Sequence, residues 1–251
     1  MRSIRPVLLA ITMIAAMVLG SGGASALSTG TTTSGVRATI SPADGATVGV
    51  AHPVTVEFAD AVTDRTRAER SVHISADPTG PLPGTFTWTD DRTLTWTPEG
   101  MLPADSLISV RAGDMRTQFA TNAGVYAEAD MSAHTFTVSI GGQVMRTMPA
   151  SMGKPGWETP TGTYPVLEKF RSIVFDSRTI GIPLNSPEGY LIDGEYAARL
   201  TWGGVFVHAA PWSVDSQGYA NVSHGCINLS TEDAAWYYEN VGIGDPVYIH
   251  W

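Results

Sequence analysis

A chain of 251 residues with 24 carboxylates against 15 lysines and arginines, and a formal charge of −9 at pH 7, has no basic surplus with which to hold a phosphate backbone. That excludes a nucleic-acid partner as the leading class. The one cysteine excludes an internal disulfide, so stability must come from ordinary apolar cores, and the length suits one large core or two small ones.

The N-terminus runs M-R-S-I-R-P, then V-L-L-A-I-T-M-I-A-A-M-V-L-G, then Ala24-Ser25-Ala26, the basic, apolar and small-residue order of a secretory signal. Residues 1–26 are therefore expected to be a signal peptide, and the protein to be exported to the periplasm or cell wall. The apolar run from Val7 to Gly20 is shorter than the roughly 20 residues that a membrane-spanning helix needs. An uncleaved N-terminal anchor is the alternative, and the only expected contact with a membrane. A lipid anchor would need a cysteine just after the apolar run, where there is none. Loss of Arg2 and Arg5 with the leader would take the mature charge from −9 to −11.

Residues 27–35, L-S-T-G-T-T-T-S-G, are Ser, Thr and Gly rich and read as a flexible tether. Short alternating strands follow S-P-A-D-G: Val54, Val56 and Phe58; Val72 and Ile74; Phe86 and Trp88; Leu94 and Trp96; Ile108 and Val110. Turn chemistry separates them at Pro42 to Gly45, Pro81 to Gly84 and Asp90 to Arg92. This spacing predicts a small β-sandwich over 36–121, with T-F-T-W-T and T-L-T-W-T as one hairpin whose aromatics face a shared core.

Around Ala120 to Ala129 the chain turns small and polar, which places a domain boundary near 122. Alternation restarts at His134, Phe136, Val138 and Ile140; I-G-G-Q reads as a hairpin turn, and G-V-F-V-H as a strand ending at His208. One helix is expected, after the cysteine loop, with Ser230 as N-cap and Asp233 in capping-box position. D-P-V-Y-I-H-W makes a last strand. The fold class is mainly β in two domains, 36–121 and 122–251.

N-V-S-H-G-C-I-N-L-S, residues 221–230, holds the only cysteine. A lone thiol is an inert core residue, an intermolecular disulfide partner, a metal ligand or a nucleophile. A nucleophile needs a base nearby, and both His208 and His224 are available; spacing alone does not choose between them. Gly225 suggests a bend that aims consecutive amide N–H groups into a pocket, as an oxyanion hole requires. Two histidines and a cysteine would also make a three-ligand zinc site, but His-Gly-Cys is unlike the usual ligand spacings, and no carboxylate is an obvious partner for either histidine. No metal or cofactor is expected. The sequons at Asn221 and Asn228 are read as accidental.

His208, fourteen residues, then Ser223-His224-Gly225-Cys226-Ile227-Asn228 resembles the signature of the L,D-transpeptidase catalytic domain. The resemblance extends to G-K-P-G-W-E-T-P-T-G-T-Y at 153–164. With D-S-R-T-I-G-I-P-L-N-S and A-P-W-S-V it looks like the short mycobacterial type, which carries one bacterial Ig-like domain before the catalytic domain. That resemblance implies Cys226 as nucleophile, His208 as general base and the backbone carbonyl of Ala209 as the group that orients the imidazole. It implies His224 as a second histidine shaping the site, and the amides of Gly225 and Cys226 as facing the oxyanion. Tyr190 matches a lid tyrosine, Asn228 a structural and binding position, and Trp212 an aromatic near the pocket. Ser223 belongs to the same motif and is taken with the binding residues. Gly203 and Gly204 let a substrate backbone come close, or form a plain β-bulge.

The implied substrate is a peptidoglycan tetrapeptide stem, joined to a second stem through diaminopimelate, and the implied inhibitors are carbapenems acylating Cys226. The rivals are a cysteine endopeptidase of the same stems and a wall-binding module with a degenerate site. Papain-like wall hydrolases place cysteine before histidine, the reverse of the order here. A monomer is expected, with the Ig-like half as a spacer. Some mycobacterial relatives run on past the last strand into a segment near the domain interface. This sequence reaches Trp251, so a less rigid junction is expected.

Overall fold

The computed structural model describes residues 38–251. The signal and the tether expected at the N-terminus lie outside the described residues. No helix among the described residues is long and apolar enough to cross a membrane.

The first half is built from β1 (Ala38–Ser41), β2 (Thr47–Val48), β3 (Val54–Phe58), α1 (Arg65–Ser71), β4 (Val72–Ala76), β5 (Gly80–Pro81), β6 (Gly84–Trp88), β7 (Thr93–Pro98), β8 (Leu107–Ala112) and β9 (Met115–Thr121). Two sheets result, ordered β1-β3-β7-β6 and β2-β9-β8-β4-β5. Val54, Val56, Leu94, Trp96, Ile108, Val110 and Phe119 fill one buried cluster from both sheets. Each such side chain contributes about 1.5–3 kcal/mol on burial. The expected hairpin is β6 against β7, with Phe86 opposite Trp96 and Trp88 opposite Leu94.

Five elements of this half escaped the sequence reading: the short strands β1, β2 and β5, and also β9 and α1. β9 turns Thr117, Phe119 and Thr121 inward, a face with only one large apolar side chain. α1 buries none of its residues and has no apolar stripe to betray it; Asp64 caps it by accepting the Arg67 N–H over 2.9 Å.

The second half contains β10 (Val125–Asp130), β11 (Thr135–Ile140), β12 (Gln143–Pro149), β13 (Gly162–Pro165), β14 (Glu168–Asp176), β15 (Leu191–Arg199), β16 (Phe206–Ala209), β17 (Ile227–Leu229), α2 (Thr231–Asn240) and β18 (Pro246–His250). Its sheets are ordered β12-β11-β10-β18-β13 and β14-β15-β16-β17. Phe136, Met148, Val207, Ile227, Leu229, Tyr237 and Ile249 share one core between them. α2 packs on β15 and β16, and Tyr237 meets the Phe136 ring edge-on at 4.9 Å. Ser230 caps this helix as expected, its Oγ accepting the Asp233 N–H over 3.1 Å.

The small, polar stretch near 122 is mostly strand. Val125, Ala127 and Ala129 point into the core from β10, and the small side chains let β18 pack alongside in parallel. His134, expected to begin the next strand, instead occupies the turn before β11 with φ +56°. The hairpin at Gly141-Gly142 forms as expected, both glycines having positive φ.

The junction expected to be less rigid is hydrogen bonded. Gly49 and Ala51 donate to Ile243 and Gly244 carbonyls, each over 2.8 Å. The fully buried Asp245 accepts from Asn122 Nδ2 at 2.6 Å, Gly242 N at 2.7 Å and Val50 N at 3.3 Å.

Candidate active site

β16 and β17 run parallel, with Val207 beside Ile227, His208 beside Asn228 and Ala209 beside Leu229. Side chains alternate along a strand, so His208 and Asn228 share one face, and Cys226, one step before β17, falls on the same face. A cleft of about 570 Å3 opens there. Of the expected residues, Cys226, His208, His224, Ser223, Asn228, Tyr190, Trp212, Gly203 and Gly204 line it.

His208 is 4% exposed, and its Nδ1 lies 2.7 Å from the Ala209 carbonyl oxygen. A carbonyl only accepts, so Nδ1 carries the proton and Nε2 keeps its lone pair. Burial pushes the imidazole pKa down to about 4, opposed by the Ala209 bond. Phe175 and Trp212 stand beside the ring at 4.5 and 5.9 Å between centroids. The Cys226 thiol donates to the Gly204 carbonyl at 3.6 Å. Desolvation pushes it up to about 11, against a smaller opposite pull from the Phe206 backbone. Both groups are therefore neutral at rest.

His224 has the carboxylate partner that the sequence did not reveal. Its Nε2 donates to Glu188 Oε2 over 2.6 Å, and Lys154 Nζ reaches the same oxygen over 2.6 Å. Trp157 and Tyr190 pack on the ring at 5.2 and 5.3 Å. Tyr190 donates its own N–H to Ser177 Oγ at 3.1 Å, which ties it to the 3-10 turn Ser177–Ile180. Burial, then the nearby Cys226 and Asp176, push its phenol up to about 12.

Gly225 has φ +116°, a conformation that favours glycine, so the expected bend is present. Its amide is not free for an oxyanion, however, because it donates to Ser223 Oγ over 3.0 Å. The Ser223 hydroxyl in turn donates to the Cys226 carbonyl at 2.7 Å. Ser223, expected among the binding residues, thus holds the loop from within. Among the described residues the Cys226 N–H makes no hydrogen bond.

Gly203 and Gly204 lie in the turn that joins β15 to β16, closed by the Gly204 N–H on the Thr201 carbonyl at 3.2 Å, rather than in a bulged strand. Trp212 is half exposed on the 3-10 turn Pro211–Ser216. Asn228 donates its side-chain amide to Ser213 Oγ over 3.1 Å, while its buried Oδ1 has no partner. Asn228 is buried, and the Asn221 side chain is bonded to Met152 N and Met131 O, so neither sequon presents a free amide.

The sequence reading missed Glu188, Trp157 and Phe175. Only Trp157 lay within a quoted motif, and nothing in S-P-E-G-Y signals that Glu188 would fold against His224. Among the described residues no group of three His, Cys, Asp or Glu side chains is placed to hold a metal ion, so His208, His224 and Cys226 do not converge as a ligand set.

A parallel strand pair that carries histidine and cysteine on one face, inside a two-sheet β domain, defines a candidate cysteine acyltransferase site. Residues 124–249 match the L,D-transpeptidase catalytic domain, and residues 18–115 match a bacterial Ig domain. The chain belongs to the L,D-transpeptidase family and is an enzyme of the acyltransferase class. It is 52% identical over 212 residues to L,D-transpeptidase 1 of Mycobacterium tuberculosis, covering 84% of each chain. An L,D-transpeptidase structure from Mycobacterium smegmatis shares 56% identity at a TM-score of 0.81, over 86% of this chain and 99% of that one. The structure of LD transpeptidase LdtMt1 in complex with imipenem shares 52% identity at a TM-score of 0.80, with the same coverage of 86% and 99%.

Proposed function

We propose that this protein is an exported peptidoglycan L,D-transpeptidase in which Cys226 is the nucleophile and His208 the base. The observation that carries the assignment is the shared face of β16 and β17, where the Ala209 carbonyl fixes the His208 tautomer with its Nε2 lone pair free. Cys226 Sγ attacks the carbonyl of the third residue of a tetrapeptide stem, meso-diaminopimelate, as its proton passes to His208 Nε2. The tetrahedral oxyanion takes the unpaired Cys226 N–H. Collapse breaks the bond to D-Ala, whose amine receives the proton from His208, and leaves a thioester. The side-chain amine of a second diaminopimelate then attacks, His208 takes its proton, and the thiolate is expelled and reprotonated. The product is a cross-link between two third-position residues. This is covalent catalysis split into acylation and deacylation.

The remaining residues support that path. Asn228, buried under the cleft and bonded to Ser213, supports its floor, Tyr190 covers the donor, and Trp212 walls the cleft. The same thiol is open to acylation by carbapenems. We take 36–121 as the Ig-like domain and 122–251 as the catalytic domain, the former as a spacer. We further take 1–26 as a signal and the working form as a monomer in the periplasm or cell wall.

Mass spectrometry of the products formed from a purified disaccharide tetrapeptide tests the reading. It expects a cross-linked dimer that has lost one D-Ala, and no product from Cys226→Ala. A protein that only cleaves pre-made dimers would be an endopeptidase instead.

A further inference from the structure

Glu188 stands two residues before Tyr190, on the segment that borders the thiol cleft, and it lines that cleft. Its carboxylate is held from one side. Lys154 Nζ and His224 Nε2 both donate to Oε2, while among the described residues Oε1 accepts no hydrogen bond. The side chain is 45% exposed, so Oε1 is an anchored anionic acceptor still open to solvent. An acceptor already fixed by two bonds loses little further freedom when a ligand binds it. The bonds from Lys154 and then His224 also hold the carboxyl below the usual range, so it is ionised at neutral pH. Glu188 is bonded to His224, and His224 is two residues from Cys226. Glu188 and Cys226 line the same cleft, so a substrate whose carbonyl sits at the thiol shares that cleft with this carboxylate.

We propose that Glu188 Oε1 binds the side-chain ammonium of the substrate's diaminopimelate and so makes the enzyme selective for a free amine at that position. The proposal rests on the peptidoglycan reading above. The donor stem supplies that ammonium, because the acceptor's side-chain amine must give its lone pair to the thioester and cannot be held in protonated form.

The test uses the full chain and its E188Q variant with two synthetic tetrapeptide stems, one with the side-chain amine free and one with it acetylated. Acylation of Cys226 by each stem as donor is timed by intact mass. Transfer from the preformed thioester is timed separately, with the free-amine stem as acceptor at graded concentrations. Acylation by a β-lactam lacking an ammonium serves as the control for a folded, reactive site.

A charge-assisted contact of this kind is expected to favour the free amine by about tenfold to a hundredfold. In E188Q that preference should collapse on the acylation arm. A rise in the acceptor concentration for half-maximal transfer, with the preference on the acylation arm intact, would overturn the proposal. β-Lactam acylation reads whatever Glu188 does through His224, and its fall is expected to be smaller than the fall with the free-amine stem. An unchanged preference on the acylation arm in E188Q would likewise overturn the proposal and leave the peptidoglycan reading standing. So would a loss of β-lactam acylation equal to the loss with stems, because Glu188 would then act only by placing His224. Failure of the parent enzyme on both stems would sink the two readings together.

Discussion

His208 donates a hydrogen bond from Nδ1–H to the carbonyl of Ala209, its neighbour in the chain, across 2.7 Å. Any side chain at 209 would leave that carbonyl in place, and the bond selects the tautomer whose Nε2 can take a proton. Burial holds the imidazole near pKa 4 and the Cys226 thiol near 11, so between those values neither group is charged in the free enzyme.

The neutral pair dictates how the thiol meets a simple alkylating reagent. Only the thiolate reacts, so labelling of Cys226 by iodoacetamide is expected to be slow at pH 7 and to climb about tenfold per pH unit toward pH 11. A rate already at its plateau by pH 6 would mean a resting thiolate–imidazolium pair and would sink this description. Slow labelling therefore does not mark a binding module with a degenerate site. Acylation by a stem or a β-lactam, in which the proposed base His208 would take the proton as the bond forms, is the measurement that reads the reactivity of this thiol.

The same imidazole makes folding sensitive to acid. Its folded pKa lies below the ordinary 6.5, so the unfolded chain binds a proton more readily. The resulting stability is present above pH 6.5 and is lost as pH falls toward 4, by about 3 kcal/mol for a shift of this size. Urea unfolding at pH 7 and pH 4.5 checks this. His208→Gln, which cannot be charged, should lose about 2–3 kcal/mol less than the parent between the two pH values. Equal losses would show that another group carries the acid limb.

What the sequence made legible followed chemistry that is local or periodic. The alternation at Val54-Val56 and Leu94-Trp96 revealed strands because one face of each is apolar. Ser230 with Asp233 revealed a helix start because a cap is completed within four residues. Histidine and cysteine were readable as a pair, but the parallel register that sets them on one face is a tertiary fact. Glu188 and Trp157 stayed hidden for the same reason, since their meeting with His224 depends on three loops closing together. At Gly225 the bend was foreseen and the role of its amide was not, because glycine encodes a permitted φ and says nothing of the hydroxyl that captures the N–H. Val125 to Asp130 looked like a linker because alanine serves equally in a loop and under a close-packed strand.

The cysteine loop offers two substitutions with separable effects. A Cβ at Gly225 would meet nothing nearer than the Trp157 carbonyl at 3.7 Å, so Gly225→Ala is limited by its φ of +116° rather than by space. Strain of that kind costs about 1–3 kcal/mol. Relieving it would turn the Cys226 amide away from the oxyanion position. Ser223→Ala removes the hydroxyl that links the Gly225 N–H to the Cys226 carbonyl. Both variants are expected to slow β-lactam acylation by roughly a hundredfold, the scale of an ångström-sized misplacement at a reacting centre. Melting temperature should fall by only a few degrees. Parent-like acylation in both would show that the conformation of this loop is set elsewhere.

At the junction of the two halves, Asp245 gathers N–H donors from Asn122, Gly242 and Val50 in a site closed to water. Burial raises its carboxyl pKa and the hydrogen bonds lower it, burial being the larger effect. Such an acceptor is costly to bury alone and costly to remove, since its loss strands the donors gathered around it. Asn122→Ala deletes two bonds, its own to Asp245 and the one its Oδ1 accepts from the Gly124 N–H, and leaves the carboxylate with two backbone partners, at an expected cost of about 1–3 kcal/mol. Asp245→Ala strands all three donors and should cost more. Neither residue lines the thiol cleft, so acylation at 25 °C should be unchanged while calorimetry registers the loss. Calorimetry also tells whether these bonds couple the halves. One transition in the parent that splits into two in Asp245→Ala means that they do, because each half then melts on its own core. Two transitions in the parent, at temperatures that neither variant moves, would mean that the junction contributes no coupling.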